Sequence, residues 1–224
     1  MNFDELKERY IGSVATRYDQ DRITQPKWIR ETEAILLLLQ NVECEDLSIL
    51  DLPCGTGRII DLLSAEKIKF RAYKGGDISE DMLEVSRSKL NPKMAGKVTV
   101  TQANALSYRH GENEITPSLI FCLRFVNWLK KNDLITLLEN LKKSGATRIC
   151  ITNRSIKPAS NIVSKIIYQL TARLSYSTWK REQKLHDNAF FLKVLGTDWS
   201  LDGETNLETR LDATALSLLI FKKK

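Results

Sequence analysis

The sequence predicts an α/β protein with a doubly wound, mostly parallel seven-stranded sheet, an antiparallel C-terminal hairpin and N-terminal helices. From Ile49 onwards, apolar strand-like runs alternate with amphipathic segments in five successive β–α units, which is typical of a parallel sheet covered by helices on both faces. The tail differs. Its strand-like segments, 199–209 and 213–221, are joined too briefly for a parallel crossover and must pair antiparallel.

The spacing of apolar residues predicts the individual elements. The first 45 residues are helical, with a break near residues 20–26 and a helix from Pro26 or Lys27 to about Asn41, since proline suits a first helical turn. A further helix covers Asn188 to Leu195. The predicted strand–helix units are strand 49–52 with helix 58–66, strand 70–77 with helix 80–90, strand 118–123 with helix 133–143, and strand 147–152 with helix 158–184. A further strand, 98–102, precedes an irregular stretch.

Length and composition favour one domain without a membrane span. The 224 residues, 42% of them hydrophobic, can bury one substantial core. The longest apolar run, residues 34–39, is far shorter than the roughly 20 residues that cross a bilayer, and residues 1–9 contain no apolar signal segment. The four cysteines are scattered without a CxxC pair. We therefore expect a cytoplasmic protein without disulfides or a metal site.

The net charge of +6 is concentrated in one stretch. Ten Lys and Arg residues against Glu182 alone give residues 142–184 a charge of +9. Such an excess attracts anionic partners, including phosphate groups, acidic glycans, nucleic acid or anionic lipid. A solvated helix face that keeps the protein soluble explains the same pattern.

The segment Ile49–Arg58 is the most informative, because a buried strand breaks there into a turn that contains Gly55 and Gly57. A strand, a glycine-rich turn and a helix form the unit at which an open α/β sheet binds a nucleotide, since glycine lets backbone approach the ligand. A dinucleotide fingerprint also needs a small residue three positions after the second glycine. This chain has Ile60 there, which favours a ligand without a pyrophosphate.

Polar residues follow the next three strands. Asp77 lies 20 residues beyond Gly57, where a carboxylate can accept the two hydroxyls of a ribose; capping of the next helix is the alternative. Asn104 can meet the edge of an adenine with its amide, although asparagine is common in such turns. Arg124 follows the fourth strand at the mouth of the same crevice, where it holds an anionic substrate group or is an ordinary surface arginine.

Together these residues resemble the class I S-adenosylmethionine-dependent methyltransferases. The resemblance covers roughly residues 46–153 and consists of three motifs in order: Asp-Leu-Pro-Cys-Gly-Thr-Gly-Arg at 51–58, Gly-Asp-Ile-Ser at 76–79 followed by Met82, and Gln-Ala-Asn-Ala at 102–105. It implies a Rossmann-like fold, S-adenosyl-L-methionine as cofactor and methyl transfer. The family often has Asp where this chain has Asn104, whose amide oxygen can still meet the adenine amino group.

Carried over residue by residue, the resemblance implies which side chains surround the cofactor. Asp77 would hold the ribose, and Ile78 and Met82 would flank the adenine. The residues expected to line the cofactor site are Asp51, Pro53, Cys54, Gly55, Gly57, Asp77, Ile78, Met82, Asn104, Ala105 and Cys122. The single domain would then consist of an N-terminal helical cap (1–45), a cofactor-binding core (46–153), a basic helical insert (154–187) and a C-terminal helix and hairpin (188–224).

The acceptor is defined less sharply. The chain lacks the dense acidic cluster of a metal-assisted catechol-type site and the Asn/Asp-Pro-Pro-Tyr motif of amino-group methylation, which favours an oxygen of a small molecule or glycan. The candidate catalytic residues are His186 and Arg124, although a lone histidine is more often structural. We hypothesise that the basic helix 158–184 covers the substrate pocket and favours an anionic or amphiphilic acceptor, such as a phosphorylated or lipid-linked glycan. An ordinary sheet-covering helix is the alternative.

Two other functions remain open at this point. One is an oxidoreductase that uses a nicotinamide dinucleotide, against which Ile60 argues. The other is a non-catalytic module that binds the cofactor. Methylation of nucleic acid has no recognition module in the sequence to support it.

Overall fold

One mixed sheet organises the computed structural model, which describes residues 8–42, 47–156, 183–210 and 214–224. Seven strands of these residues pair in the order β3-β2-β1-β4-β5-β7-β6. The first five are parallel, and β7 lies antiparallel between β5 and β6, which confirms the predicted sheet and hairpin. The strands are β1 (Ser48–Asp51), β2 (Ala72–Asp77), β3 (Val98–Gln102), β4 (Leu119–Cys122), β5 (Arg148–Ile156), β6 (Trp199–Thr209) and β7 (Thr214–Lys223).

Helices connect the parallel strands. Their bounds are α1 (Ser13–Arg17), α2 (Pro26–Asn41), α3 (Arg58–Ala65), α4 (Glu80–Ser88), α5 (Lys131–Lys143) and α6 (Asn188–Leu195), with short 3₁₀ turns at Pro92–Met94 and Val126–Trp128. Strand β5 is longer than the predicted 147–152, because β7 pairs with it along its whole length. The predicted helix 158–184 falls almost entirely outside the described residues.

Apolar side chains pack on both faces of the sheet. On one face they pack against α2 and α3, and on the other against α5 and α6. Strand β4 contributes to both cores in alternation, with Phe121 on the first face and Cys122 on the second. The sheet order reverses between β1 and β4, and the crevice outside their carboxyl ends is where open α/β sheets bind ligands.

Candidate active site

A crevice opens at the carboxyl edge of β1, β2 and β4, with about 960 Å³ of empty space that includes open solvent. Nine of the eleven residues expected around the cofactor line this crevice, namely Asp51, Pro53, Cys54, Gly55, Asp77, Ile78, Met82, Asn104 and Ala105. Gly57 and Cys122 do not line it.

The two glycines of the turn serve different purposes. Gly55 has a φ of +54°, and no heavy atom lies within 4 Å of the place where a Cβ would stand. Gly57 has a φ of +77°, and its Cβ would lie 2.5 Å from Ser86 Oγ and 3.1 Å from Ser86 Cα. Gly55 therefore leaves room for a ligand, whereas Gly57 permits the close packing of α3 against α4. Gly57 does not line the crevice itself, and its place among the cofactor-binding residues stays a prediction.

Asp77 presents its carboxylate at the wall of the crevice. Its Oδ2 accepts the Gly55 backbone N–H and its Oδ1 accepts that of Ser79, each at 2.9 Å. Burial raises the pKa of Asp77 against these backbone hydrogen bonds. Ser79 is the N-cap of α4 and accepts the Met82 N–H at 3.4 Å. An ionised carboxylate has about four acceptor positions, so the local contacts of Asp77 leave it capacity for ribose hydroxyls.

Asp51 is a buried carboxyl at the floor of the crevice. Tyr73 donates its hydroxyl hydrogen to Asp51 Oδ2 at 2.8 Å. Burial raises the pKa of Asp51 to about 8, against the Tyr73 hydrogen bond and with a further contribution from Asp77. At neutral pH this group holds a proton, which a nearby cation would displace.

Asn104 is engaged by its own turn. Its Oδ1 accepts the Leu106 backbone N–H at 2.9 Å, a common local arrangement for asparagine. The amide oxygen, which we expected to meet the adenine amino group, is thus already hydrogen-bonded. The NH₂ group is the part of this side chain that can donate to a ligand.

Cys122 and His186 lie away from the crevice. Strand alternation directs Cys122 into the core beneath α5, where it is fully buried. His186 lies with Nε2 3.1 Å from the Val126 carbonyl oxygen, and burial lowers its pKa against hydrogen bonds with the Val126 and Leu129 backbone. These contacts are typical of a structural histidine, and a role of His186 as a base stays a prediction. His110, the other histidine of the chain, pairs with Glu114 at 3.2 Å and does not line the crevice either.

The opposite side of the crevice is an aromatic wall that the sequence did not reveal. Edge-to-face contacts join Tyr10 to Tyr18 and Tyr18 to Trp28, with ring centroids 5.9 and 6.4 Å apart. Burial is the main cause that raises the pKa values of Tyr10 and Tyr18, so both hydroxyls stay protonated at neutral pH. The members of this aromatic wall are Tyr10, Tyr18, Trp28, Phe125 and Trp128.

Two arginines stack on Trp28 and share one buried carboxylate. The guanidinium carbons of Arg58 and Arg124 lie 3.7 and 4.6 Å from the Trp28 ring centroid. Both pair with Glu31, which is fully buried and also accepts the Thr152 hydroxyl at 2.6 Å. Burial alone would raise the pKa of Glu31, but Arg124, Arg58 and the Thr152 hydrogen bond hold it below its usual value. Arg124, the second candidate catalytic residue, thus lines the crevice as an ion-paired group.

The N-terminal segment, residues 8–25, is attached across the crevice by side chains of the core. Ser79 donates its hydroxyl hydrogen to the Tyr10 carbonyl oxygen at 2.7 Å. Thr56 donates to Asp19 Oδ1 at 2.8 Å, and Lys89 pairs with Asp19 Oδ2 at 2.7 Å. These contacts hold Tyr10 and Tyr18 in the aromatic wall.

Metal and membrane features can be judged for the described residues alone. Over residues 8–42, 47–156, 183–210 and 214–224, no three His, Cys, Asp or Glu side chains are grouped to hold a metal ion. No helix in those ranges has the length and apolar character to cross a membrane.

The fold and site agree with comparisons with known proteins. Residues 49–145 match a family model described as "Methyltransferase domain". These residues include the glycine turn, Asp77 and Asn104. A comparison with curated proteins gives no match.

Solved structures with the same fold are distant in sequence. Magnesium protoporphyrin IX methyltransferase from Synechocystis PCC 6803, solved with bound SAH, has a TM-score of 0.74 and 15% identity, covering 100% of both chains. The N-methyltransferase NodS from Bradyrhizobium japonicum WM9, also solved with SAH, has a TM-score of 0.68 and 11% identity, covering 99% of this chain and 97% of NodS. The small RNA methyltransferase HEN1 has a TM-score of 0.66 and 14% identity, covering 88% of this chain and 25% of that one.

These findings define the class. The chain has the fold of the class I S-adenosylmethionine-dependent methyltransferases, and residues 49–145 match a methyltransferase domain. The similar proteins differ in what they methylate, so the acceptor is a separate question.

Proposed function

We propose that the crevice binds S-adenosyl-L-methionine and that the protein transfers the methyl group to an oxygen of a small-molecule or glycan acceptor. The observation that carries the proposal is the open space at Gly55 beside the Asp77 carboxylate, facing the aromatic wall. Such a space fits a nucleoside whose ribose hydroxyls bond to Asp77. When bound, the cofactor supplies an electrophilic methyl group.

Each part of the crevice has a proposed task. Asp51, Cys54 and Gly55 surround the methionine part. Asp77 binds the ribose, and Asn104 donates to the adenine edge. The apolar side chains of Ile78, Met82 and Ala105 form the walls on either side of the base. The acceptor then lies against the aromatic wall.

The residues of the crevice act mainly by positioning and by excluding water. Well-oriented reactants can gain on the order of 7–11 kcal/mol in this way. Neither histidine of the chain lines the crevice, and Tyr10 and Tyr18, whose pKa values are raised by burial, stay protonated and do not act as bases. This supports an acceptor oxygen that loses its proton readily, such as a carboxyl or an acidic hydroxyl. The buried free thiols Cys54, Cys122 and Cys150 support a place in the reducing cytoplasm.

Calorimetric titration with S-adenosylhomocysteine and then with NAD tests the proposal. We expect S-adenosylhomocysteine to bind and NAD not to bind. Asp77→Asn should weaken S-adenosylhomocysteine binding at least about tenfold, because a charge-assisted pair of hydrogen bonds is lost. Glu84→Gln, an exposed change on α4, is the matched control and should leave the affinity unchanged.

Other outcomes would redirect the assignment. Binding of NAD alone would support a nicotinamide-dependent oxidoreductase. Binding of S-adenosylhomocysteine without transfer of a labelled methyl group to any member of a panel of carboxylic acids, phenols and glycans would support a non-catalytic cofactor-binding module.

A further inference from the structure

A second cavity, which we name the basic pocket, adjoins the crevice and has about 830 Å³ of empty space that includes open solvent. Among the described residues that line it, five side chains are cationic and none is a carboxylate. Neutral amides, including Gln25 and Gln183, complete much of its polar surface. The cations are Arg22, Lys27, Arg124, Arg154 and Arg210.

The basic pocket and the crevice share part of their walls. Tyr10, Tyr18, Arg124 and Trp128 line both cavities. A molecule held against the aromatic wall therefore has the basic pocket beside it. One ligand can reach both cavities at once.

Two carboxylates of the described residues lie close to the cations of the basic pocket. Glu208 bonds to Arg154, lies 3.0 Å from Arg210 Nε and lies 3.7 Å from Lys27 Nζ. Glu31 pairs with Arg124 but shares its charge with Arg58. Among the described residues, cationic side chains that line the basic pocket therefore outnumber the carboxylates that these contacts name, and such an excess attracts anions.

The pKa of Lys27 reflects the positive charge around it. Burial lowers the pKa of Lys27, and Arg210, Arg124 and Arg154 lower it further against Glu208. An anion in the basic pocket would relieve this repulsion.

Arg22 is oriented in advance for binding. Its guanidinium carbon lies 3.6 Å from the centroid of the Tyr18 ring, and its Nη1 donates to the Tyr18 carbonyl oxygen at 2.8 Å. A guanidinium fixed in this way loses little freedom when it binds, and its planar fork matches the oxygens of a carboxylate or a phosphate.

We propose that the basic pocket binds an oxyanion of the methyl acceptor, a carboxylate or a phosphate, while the apolar body of the acceptor lies against the aromatic wall. This inference rests on the proposed function and adds the chemical class of its substrate. The oxyanion is held beside the crevice, so that another atom of the acceptor reaches the methyl group.

Small aromatic probes test this inference on protein saturated with S-adenosylhomocysteine. Benzoate, phenyl phosphate and the neutral benzyl alcohol are titrated by calorimetry at constant ionic strength. We expect at least one of the anions to bind about tenfold more tightly than benzyl alcohol, since a charge-assisted hydrogen bond is worth about that factor. The tighter of the two anions distinguishes a carboxylate site from a phosphate site.

Matched variants distinguish the effect of the basic pocket from the effect of the net charge of the protein. Arg22→Gln/Lys27→Gln should remove the preference for the anion, and Arg210→Gln should reduce it by itself. Arg17→Gln/Lys97→Gln removes the same charge from exposed positions and should keep the preference. The inference is overturned if the control variant loses the preference for the anion to the same extent, if benzyl alcohol binds as tightly as the anions, or if neither anion binds. Failure of wild-type protein to bind S-adenosylhomocysteine overturns the proposed function instead.

Discussion

Glu31 and Arg124 lie 93 positions apart in the sequence and form an ion pair with 2.7 Å between Oε2 and Nε. Glu31 is fully buried on α2, whereas Arg124 follows β4 with a φ of +55°. The same carboxylate bonds to Arg58 at the start of α3 and to Thr152 in β5. A single buried charge therefore connects α2 to Arg58 and Arg124, which line the crevice, and to Thr152 in β5.

This network predicts that Glu31→Gln unfolds more readily than the wild-type protein. The change leaves Arg58 and Arg124 without their buried counter-charge, and breaking such a pair costs about 3–5 kcal/mol. Chemical denaturation monitored by tryptophan fluorescence measures the free energy of unfolding. Glu33→Gln, an exposed change on the same helix, should alter it by less than about 0.5 kcal/mol. Equal effects of the two changes would contradict this role for Glu31.

The surroundings of the two turn glycines predict that replacement by alanine mainly lowers stability at Gly57 and mainly lowers cofactor affinity at Gly55. Gly57→Ala should cost about 2–3 kcal/mol of stability, because alanine is strained at positive φ and its Cβ would meet Ser86. Gly55→Ala is also strained at positive φ but meets no other atom, so it should destabilise the protein less than Gly57→Ala; its methyl group enters open space in the crevice and should lower the affinity for S-adenosylhomocysteine. Denaturation and calorimetry on both variants provide the comparison. A larger loss of affinity in Gly57→Ala would refute the assignment.

Asp51 predicts that cofactor binding depends on pH. The ionised carboxyl favours the cationic methionine part, but with a pKa of about 8 it must release a proton to bind near neutral pH. The dissociation constant of S-adenosylmethionine should therefore fall as pH rises from 6 to 7.5, by up to about tenfold per unit. Asp51→Asn should show a flat profile over this interval. A wild-type profile that is flat as well would exclude the coupling.

The contacts of Asp19 predict an effect on how fast S-adenosylhomocysteine dissociates. It joins the N-terminal segment to Thr56 and Lys89, so Asp19→Asn should loosen that segment and raise the dissociation rate of S-adenosylhomocysteine about threefold to tenfold. Stopped-flow displacement measures this rate. Asp21→Asn, whose only recorded ion pair among the described residues is with exposed Arg17, should behave like the wild-type protein.

The sequence predicted the sheet and most of the residues that line the crevice because both depend on local signals. Apolar periodicity defines the strands, and the turn at 51–58 and Asp77 follow strands at a fixed spacing. Cys122 lies in the core and not at the crevice, because the face of β4 that a residue occupies depends on the register of the strand. His186 lies near Val126 through tertiary packing alone.

The aromatic wall and the Glu31 network left no signal in the sequence. Tyr10, Trp28 and Trp128 come from three segments that meet only when the N-terminal segment packs over the sheet edge. Each looks like an ordinary core or surface residue in its own neighbourhood. Their arrangement is a property of the folded chain, and periodicity does not report it.

Tyr10 and Tyr18 border two adjoining cavities, and this shared border ties selectivity to turnover. In the proposed function, a mutation that reshapes the N-terminal segment for a different acceptor also changes the binding site of S-adenosylhomocysteine. Directed evolution of acceptor preference at these positions would therefore lower the turnover rate. Compensating changes would be expected on α4, which the N-terminal segment contacts.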